Sequence, residues 1–391
     1  MRRDQFTDSK TGELVTIEPD GRPTIAFTPE NLPPEFDESS LINPLADAAQ
    51  ALGRLDGIGP RVGSNRMLIE AFARKEAVES SQLEGTTANL SDLYKYEAGE
   101  EQLLGEQKRE DAREVFNYLV ALRYGMEEVK EGNDITVELI RGMHERLLSG
   151  VRGERANPGE IRKEQNWIGP PDIRDARYVP PPPEEVPELM ENLVKYINDT
   201  NHLHPIIRIG IAHYQFEAIH PFLDGNGRMG RLLISLLFQK DGLLPEPYLY
   251  LSSYFNARKR DYADMMLNVS QAGAWENWCK FFLEGVSTQS VEAHQRADYL
   301  VDLREKYHSD YRDHRSGNIL TLVSKLFEEP YLDVPKAHSW LDASYETANR
   351  LVNELEEDGV LAEITGKSRN RFFIARDIYD GINKPIDEIG R

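Results

Sequence analysis

Apolar residues recur at helical spacing along most of the chain. In MLIEAFARKEAVESSQLEG, from Met67, the positions Leu68, Phe72 and Val78 share one face of an otherwise polar surface, which predicts an amphipathic helix. AREVFNYLVALRYGMEEV and VELIRGMHERLLSG predict two more, the second closed by a glycine suited to a C-cap. PELMENLVKYIN and PIIRIGIAHYQFEAI continue the pattern, and in the latter Ile207, Ile211, Tyr214 and Ala218 fall at i, i+4, i+7 and i+11. RLLISLLFQKDG is apolar almost throughout and reads as a buried helix. Amphipathic helices run on to about residue 310.

Three stretches interrupt this rhythm. The first sixty residues are rich in turn formers (EPDGRPT, TPENLPPEFD, GIGP) and read as an extended arm. Residues 155–188 hold two short extended pieces around a GPPD turn and then Pro180–Pro183, predicting a β-hairpin followed by a stiff polyproline segment. From about Ser316, ILTLVSKLFEEP, VPKAHSWLD and SYETANRLVNELEEDGVL form three short helical units, and LAEIT and RFFIARD flank GKSRN as a second hairpin. Three helices and a two-stranded wing read as a winged helix-turn-helix. The expected fold class is therefore mainly α: a helical bundle with a short β-hairpin flap, plus a C-terminal winged-helix domain. The boundaries are an arm over 1–60, the main helical domain over 61–290, a helical linker over 291–315 and the winged helix over 316–391.

Composition narrows the function classes. With 391 residues the chain can bury a large core, and its single cysteine, Cys279, excludes an internal disulfide and any cysteine-based zinc site. No apolar run approaches a membrane span and MRRDQFTDSK lacks a signal-peptide core, so a cytoplasmic location is expected. The formal net charge of −21 argues against general affinity for nucleic acid or anionic membrane. Any nucleotide site must rest on particular residues.

HPFLDGNGRMGR, His220 to Arg231, supplies them. Gly225, Gly227 and Gly230 satisfy G-x-G-x-x-G, but a dinucleotide loop follows a buried strand, whereas this one follows a segment of helical period. Gly225, Asn226 and Gly227 precede an apolar helix, so their N–H groups can form an anion nest at its positive end. Arg228 and Arg231, three apart, can project from the first turn towards that nest, where guanidinium forks suit phosphate oxygens. Asp224 beside phosphate makes sense with a divalent cation between them, and magnesium is commonly held by one carboxylate plus substrate phosphates. His220 is placed to act as a base on an incoming hydroxyl.

These twelve residues resemble the signature of the Fic (filamentation induced by cAMP) family, H-x-F-x-D/E-G-N-G-R-x-x-R, with every defining position filled. The likeness extends over about residues 60–290, through the helix-and-hairpin layout before the motif and WENWCKFFLEG after it. It implies a Fic-type helical bundle and a nucleotidyltransferase moving AMP from ATP to a Tyr, Ser or Thr hydroxyl of a protein, with Mg2+ as cofactor. His220 would deprotonate the hydroxyl, Asp224 would hold Mg2+ on the α- and β-phosphates, and Asn226 would orient the phosphates. Gly225–Gly227 would cradle them, and Arg228 and Arg231 would neutralise the β- and γ-phosphates.

Ser80-Ser81-Gln82-Leu83-Glu84-Gly85 resembles the family's inhibitory motif, [ST]-x-x-x-E-[GN], in the subclass with an N-terminal inhibitory helix, here about 66–85. The resemblance implies that Glu84 pairs with Arg231 and blocks a productive ATP pose. The hairpin at 162–180 matches the family's target-binding flap, where Trp167 and Ile168 are the candidate clamps. YLSSYFNARKRDYADMM resembles the region flanking adenine, with Tyr262 the candidate contact and Ala263 where relatives often carry a second tyrosine. Other family chemistry stays open: removal of AMP, or transfer of another phosphate-containing group. A homodimer and an unidentified protein target, the enzyme itself included, are further expectations. A DNA-binding regulator is the rival class, disfavoured because SYETANRLVNELEEDG carries Glu346, Glu354, Glu356, Glu357 and Asp358 against Arg350.

Overall fold

A computed structural model describes residues 1–8, 10–19, 21, 23–58, 66–151, 157–199 and 203–389. The chain opens with strands β1 (Gly12–Ile17) and β2 (Thr24–Pro29), paired antiparallel from Gly12 against Pro29 to Ile17 against Thr24, and then helix α1 (Ile42–Asp56). The expected extended arm is thus corrected to a hairpin and a helix. The turn formers Pro19, Gly21 and Pro23 lie between the two strands, and in DAAQALGRLD the positions Ala48, Ala51, Leu52 and Leu55 make a buried stripe at helical spacing.

Next come α2 (Arg66–Leu83), α3 (Leu90–Glu97), α4 (Glu106–Lys130) and α5 (Val137–Leu147). They are followed by α6 (Val186–Asn198), α7 (Pro205–Ile219), α8 (Asn226–Lys240), α9 (Ser252–Ala257), α10 (Lys259–Ala272) and α11 (Trp275–Asp310). Helix α7 is the centre of the bundle and is buried nearly all round, packed by α6, α8 and α11. Its interior Gly210 lets α11 approach closely: a Cβ there would lie 3.0 Å from the Phe282 ring, and Trp278 Nε1 donates to Gly210 O at 2.8 Å. Each such buried aromatic contributes about 1.5–3 kcal/mol through its apolar surface. With its core fixed in this way, α7 delivers its C-terminus to a defined point.

The anticipated linker is not a separate element, because α11 runs unbroken from the bundle across it. Beyond lie α12 (Asn318–Glu328), β3 (Tyr331–Asp333), α13 (Val334–Trp340), α14 (Tyr345–Glu357), β4 (Ala362–Glu363), β5 (Phe372–Ile374) and α15 (Arg376–Asn383). The sheet order is β3-β5-β4, so the expected two-stranded wing has a third strand and a closing helix. This unit packs on α2 and α11 through α12 and α15. Among the described residues no helix is long and apolar enough to cross a membrane.

The flap expected over 162–180 is looser than a hairpin of two strands. It closes on one bridge, Ile168 with Tyr178, where Ile168 N donates to Tyr178 O and Arg177 N donates to Ile168 O, both at 2.8 Å. The prolines on either side have no N–H to extend the ladder.

Candidate active site

Helix α7 ends at His220, whose backbone is left-handed (φ 50°, ψ 60°), an unusual state for a residue with a Cβ. Arg162 holds that turn. It is buried, its N–H donates to Pro221 O and its Nε to His220 O, both at 2.9 Å, and its Nη2 donates to Pro181 O at 2.6 Å. His220 Nδ1 lies 3.3 Å from Glu217 O, a bond in which Nδ1–H donates, leaving Nε2 as the acceptor. Burial, reinforced by the Arg162 charge, pulls the imidazole down to about 4, against an upward pull from Glu217 O, Glu84 and Asp224. At neutral pH the ring is uncharged and able to take a proton.

The loop after His220 is braced by two residues. Asn226 is buried with both ends of its amide on one residue: Phe222 N donates to Oδ1 at 2.9 Å and Nδ2 donates to Phe222 O at 2.7 Å. This side chain therefore shapes the loop and is not free to reach phosphate directly, which revises the contact expected for it. His144 of α5 stacks on Phe222 at 3.7 Å with 5° between the rings. Its Nδ1 accepts from Gly159 N and its Nε2–H donates to Asp224 O, both at 2.9 Å, which fixes the tautomer. Burial holds this histidine down to about 4, so it stays neutral. Gly225 begins α8 with φ 78°.

The arginines diverge. Arg231 is buried, and three contacts hold it to α2 and the turn after it: Nε to Ser80 Oγ at 2.8 Å, Nη2 to Ser80 O at 2.9 Å and Nη2 to Glu84 Oε1 at 2.7 Å. Arg228 turns instead to Glu114 of α4 at 3.2 Å, with Asp224 Oδ1 at 3.9 Å. The expectation that both guanidinium groups converge is therefore corrected: i, i+3 spacing gives a shared face, but a buried acid on α4 draws one away.

Glu84 lies on the N-terminal turn of α8. A Cβ at Gly227 would sit 2.2 Å from Glu84 Oε1, so glycine is what admits the carboxylate. Burial pushes the Glu84 pKa up, but Arg231, Arg228 and Lys259 outweigh it and hold the group below its ordinary value. The carboxylate thus occupies a ready anion site of helix N–H groups and guanidinium. Gly85 (φ 97°) turns the chain just after it.

Asp224 is half-exposed at the mouth and accepts from Gly225 N on one oxygen at 2.6 Å. Among the described residues no group of three His, Cys, Asp or Glu is arranged to hold a metal, so an ion here would need ligands from substrate.

Of the remaining candidates, Tyr262 is buried, stacks on Phe255 at 4.3 Å and its hydroxyl lies 2.7 Å from His213 Nε2. It is packed as core, and its neighbour Ala263 faces the open cavity beside the flap. Trp167 is half-buried, donating from Nε1 to Pro170 O at 2.7 Å, while Ile168 is exposed. Arg162, His144 and Glu217 were not singled out from the sequence. A lone Arg in GEIRKEQ and a lone His on an amphipathic helix carry no signal of their own.

Residues 134–238 match the Fic/DOC family and residues 42–127 match the Fic/DOC family N-terminal region. This is a Fic-domain protein. It is 37% identical over 118 residues to a protein adenylyltransferase of Caenorhabditis elegans, covering 30% of this chain and 22% of that protein. With a protein adenylyltransferase of Drosophila melanogaster it shares 31% over 138 residues, covering 35% of this chain and 26% of the other. The chain therefore spans about a quarter of the length of these curated relatives. A Fic family protein from Desulfovibrio desulfuricans G20 shares the fold with TM-score 0.56 at 22% identity, over 88% of this chain and 98% of that one. A Fic domain-containing signalling protein from Bacteroides thetaiotaomicron does so with TM-score 0.50 at 20% identity, over 66% and 97%.

Proposed function

We propose that this chain is a protein adenylyltransferase that moves AMP from ATP onto a Tyr, Ser or Thr hydroxyl of another protein or of itself. The observation that carries the reading is a neutral His220 with Nε2 unprotonated, on the turn that leads into an anion site built by the start of α8 and Arg231. The hydroxyl proton goes to Nε2, its oxygen bonds to the α-phosphorus, and the bond from that phosphorus to the bridging oxygen breaks as pyrophosphate leaves. Positioning and charge stabilisation supply the catalysis. Asp224, facing outward with lone pairs to spare, would hold a Mg2+ ion together with substrate oxygens, and such an ion would supply neutralising charge. Asn226 and His144 hold the loop, and Arg162 holds His220.

Autoinhibition belongs to the same reading. Glu84 sits where a terminal phosphate would need Arg231, so resting activity is low and rises when that carboxylate is removed. The C-terminal unit we read as a winged helix that supports α2 in place of reading DNA. On α14, Arg350 is paired with Glu354 at 3.1 Å, and the wing's Arg371 with Glu356 at 3.0 Å. The reaction is read as cytoplasmic, where ATP is supplied.

The test is incubation of Glu84→Gly with ATP labelled at the α-phosphate, magnesium and cell lysate, alongside His220→Ala/Glu84→Gly. Covalent label on protein that depends on His220 is the expected result. Label from γ-phosphate only, or label indifferent to His220, overturns it.

A further inference from the structure

The opening hairpin and the flap are joined into one small sheet. Phe27 N of β2 donates to Val179 O at 2.9 Å, and the adjoining Tyr178 makes the bridge to Ile168. The order across is therefore β1, β2, Tyr178–Val179 and Ile168. An apolar cluster separate from the core of the bundle backs this sheet. Its buried members, Ala26, Ile173, Ala176 and Val179, come from β2 and the flap alone, with Ile17 and Trp167 packed against them. A flap closed by one bridge and a hairpin of two strands are each marginal by themselves, so each supports the other.

The cluster separates the two residues expected to clamp a target. Successive side chains of an extended segment point to opposite sides. Trp167 packs on the hairpin cluster and donates from Nε1 to Pro170 O at 2.7 Å, whereas Ile168 is 40% exposed. Trp167 is thus a fastening and Ile168 the outward contact. The base of the flap is fixed independently. Arg162 bonds both Pro181 O and His220 O, and Tyr178 Oη donates to Ala218 O at 2.9 Å, on the last turn of α7. One end of the flap therefore rests on the turn that carries His220, and the other on β2.

We propose that the opening hairpin positions the flap for the protein acceptor, holding Ile168 and its flanking backbone in register with His220. The proposal rests on the reading that the acceptor is a protein hydroxyl. An extended segment laid along Ile168 then brings its hydroxyl to Nε2 without first having to order the flap. Ala26 and Trp167 touch neither nucleotide nor acceptor in this scheme; they are positioning residues. With the hairpin's hold lost, the flap must be ordered at the moment the acceptor binds, which weakens acceptor binding. ATP binding is spared, because the anion site at the start of α8 is braced by Asn226 and His144.

The experiment compares Glu84→Gly with the same protein carrying Ala26→Asp, Trp167→Ala or Ile168→Ala. Ala26→Asp places a carboxylate in the cluster from the hairpin side, and Trp167→Ala empties it from the flap side. Since the cluster lies apart from the bundle core, both should keep the parent's circular dichroism and melt within about 3 °C of it. Amide exchange across Ile168–Arg177, followed by mass spectrometry, should quicken by about tenfold in both, but stay within about twofold in Ile168→Ala. Label from ATP marked at the α-phosphate is then followed into lysate protein over a dilution series. Ala26→Asp and Trp167→Ala should lose about fivefold in dilute lysate and recover as the lysate is concentrated, the mark of a raised KM with kcat kept. ATP affinity by calorimetry should stay within about threefold of the parent.

Unchanged exchange in folded Ala26→Asp and Trp167→Ala overturns the proposal, as does a loosened flap that still labels dilute lysate at the parent's rate. If Glu84→Gly itself labels nothing while Ala26→Asp loosens the flap, the transfer reading fails and the hairpin's hold on the flap stands. If label flows and depends on His220 while exchange ignores both substitutions, the reverse holds.

Discussion

Replacing Glu84 with glycine is the sharpest perturbation of this site, and its size follows from the geometry. The contact is one charge-assisted hydrogen bond, Arg231 Nη2 to Glu84 Oε1 at 2.7 Å, with Arg231 2% and Glu84 40% exposed. A bond of this kind to a buried charge contributes about 1.5–3 kcal/mol, and the exposed partner discounts that to about 1–2 kcal/mol. On the proposed reading ATP would have to displace it, so removing it should tighten apparent ATP binding by about 5- to 30-fold. A second contribution is steric, because the carboxylate fills the space over Gly227 where an anion would enter α8. Glu84→Gln relieves the charge but keeps the volume, and should raise AMP transfer by a few-fold; Glu84→Gly relieves both and should raise it further. The assay is initial rate of α-label incorporation against ATP concentration, with His220→Ala as the zero. Glu84→Gly should also melt lower by about 2–4 °C, since Arg231 loses one of the three hydrogen bonds that hold it to Ser80 and Glu84, and ATP should raise its melting point more than it raises the parent's. Equal transfer rates in parent and Glu84→Gly would refute the reasoning, and a greater effect from Glu84→Gln than from Glu84→Gly would refute its steric half.

Further outcomes can be checked on the same preparations. His220→Ala in the Glu84→Gly background should abolish transfer while ATP binding by calorimetry stays within about threefold, because the imidazole is needed only for the proton. The Glu84→Gly rate should stay level from pH 7 to about pH 5 and fall as pH approaches 4, since the base works when neutral and His220 is held down to about 4. A fall centred near the ordinary histidine value of about 6.5 would contradict that. Arg162→Met should lower kcat by about tenfold with ATP affinity little changed, and should move the acid limb of the pH profile upward because a cation facing the imidazole is lost. Arg162→Lys, which keeps charge but not the several-pronged grip on His220, Pro181 and Ile219, should keep the limb and still lose kcat.

The sequence made the bundle legible because its helices carry long apolar stripes, and made the loop legible because the motif is contiguous. What it could not convey is contact across distance. Arg162 acts through carbonyls 57 to 59 positions away along the chain, and His144 through Asp224, which lies 80 residues on. Neither spacing leaves a local pattern. Arg228 was misjudged for the same reason, because helix phase gives the face of a side chain while its partner, Glu114, belongs to another helix. The opening hairpin is hidden because its Gly and Pro residues read as an extended arm, whereas Pro19, Gly21 and Pro23 lie between two paired strands. The flap is a milder case, with the GPPD turn in the right place but a single bridge where a ladder was expected.

The packing of helix α2 makes the proposed control by Glu84 a local one. On one side it is fastened to α4, α9 and the start of α10. Glu76, buried, accepts from Ser252 N at 3.0 Å and from Tyr118 Oη at 3.2 Å; Asn256 Nδ2 donates to Glu79 Oε2 at 2.8 Å; Lys259 Nζ donates to Leu83 O at 2.5 Å. On the other side it carries α12 and α15, and Arg74, bonded to Glu97 at 2.7 Å, lies over Tyr94, which stacks on Tyr331 of β3 at 5.4 Å. Lifting α2 would strand Glu76 and Arg74, both buried, and exposing or unpairing such groups costs about 3–5 kcal/mol each. Turning the Glu84 side chain away costs only the discounted contact worked out above, and Gly85, with nothing within 4 Å of where a Cβ would be, leaves room for it. The cheaper route is favoured by several kcal/mol, so on the proposed reading ATP would compete with one carboxylate and not with a helix. That is why Glu84→Gly is expected to free the site while the fold melts within a few degrees of the parent.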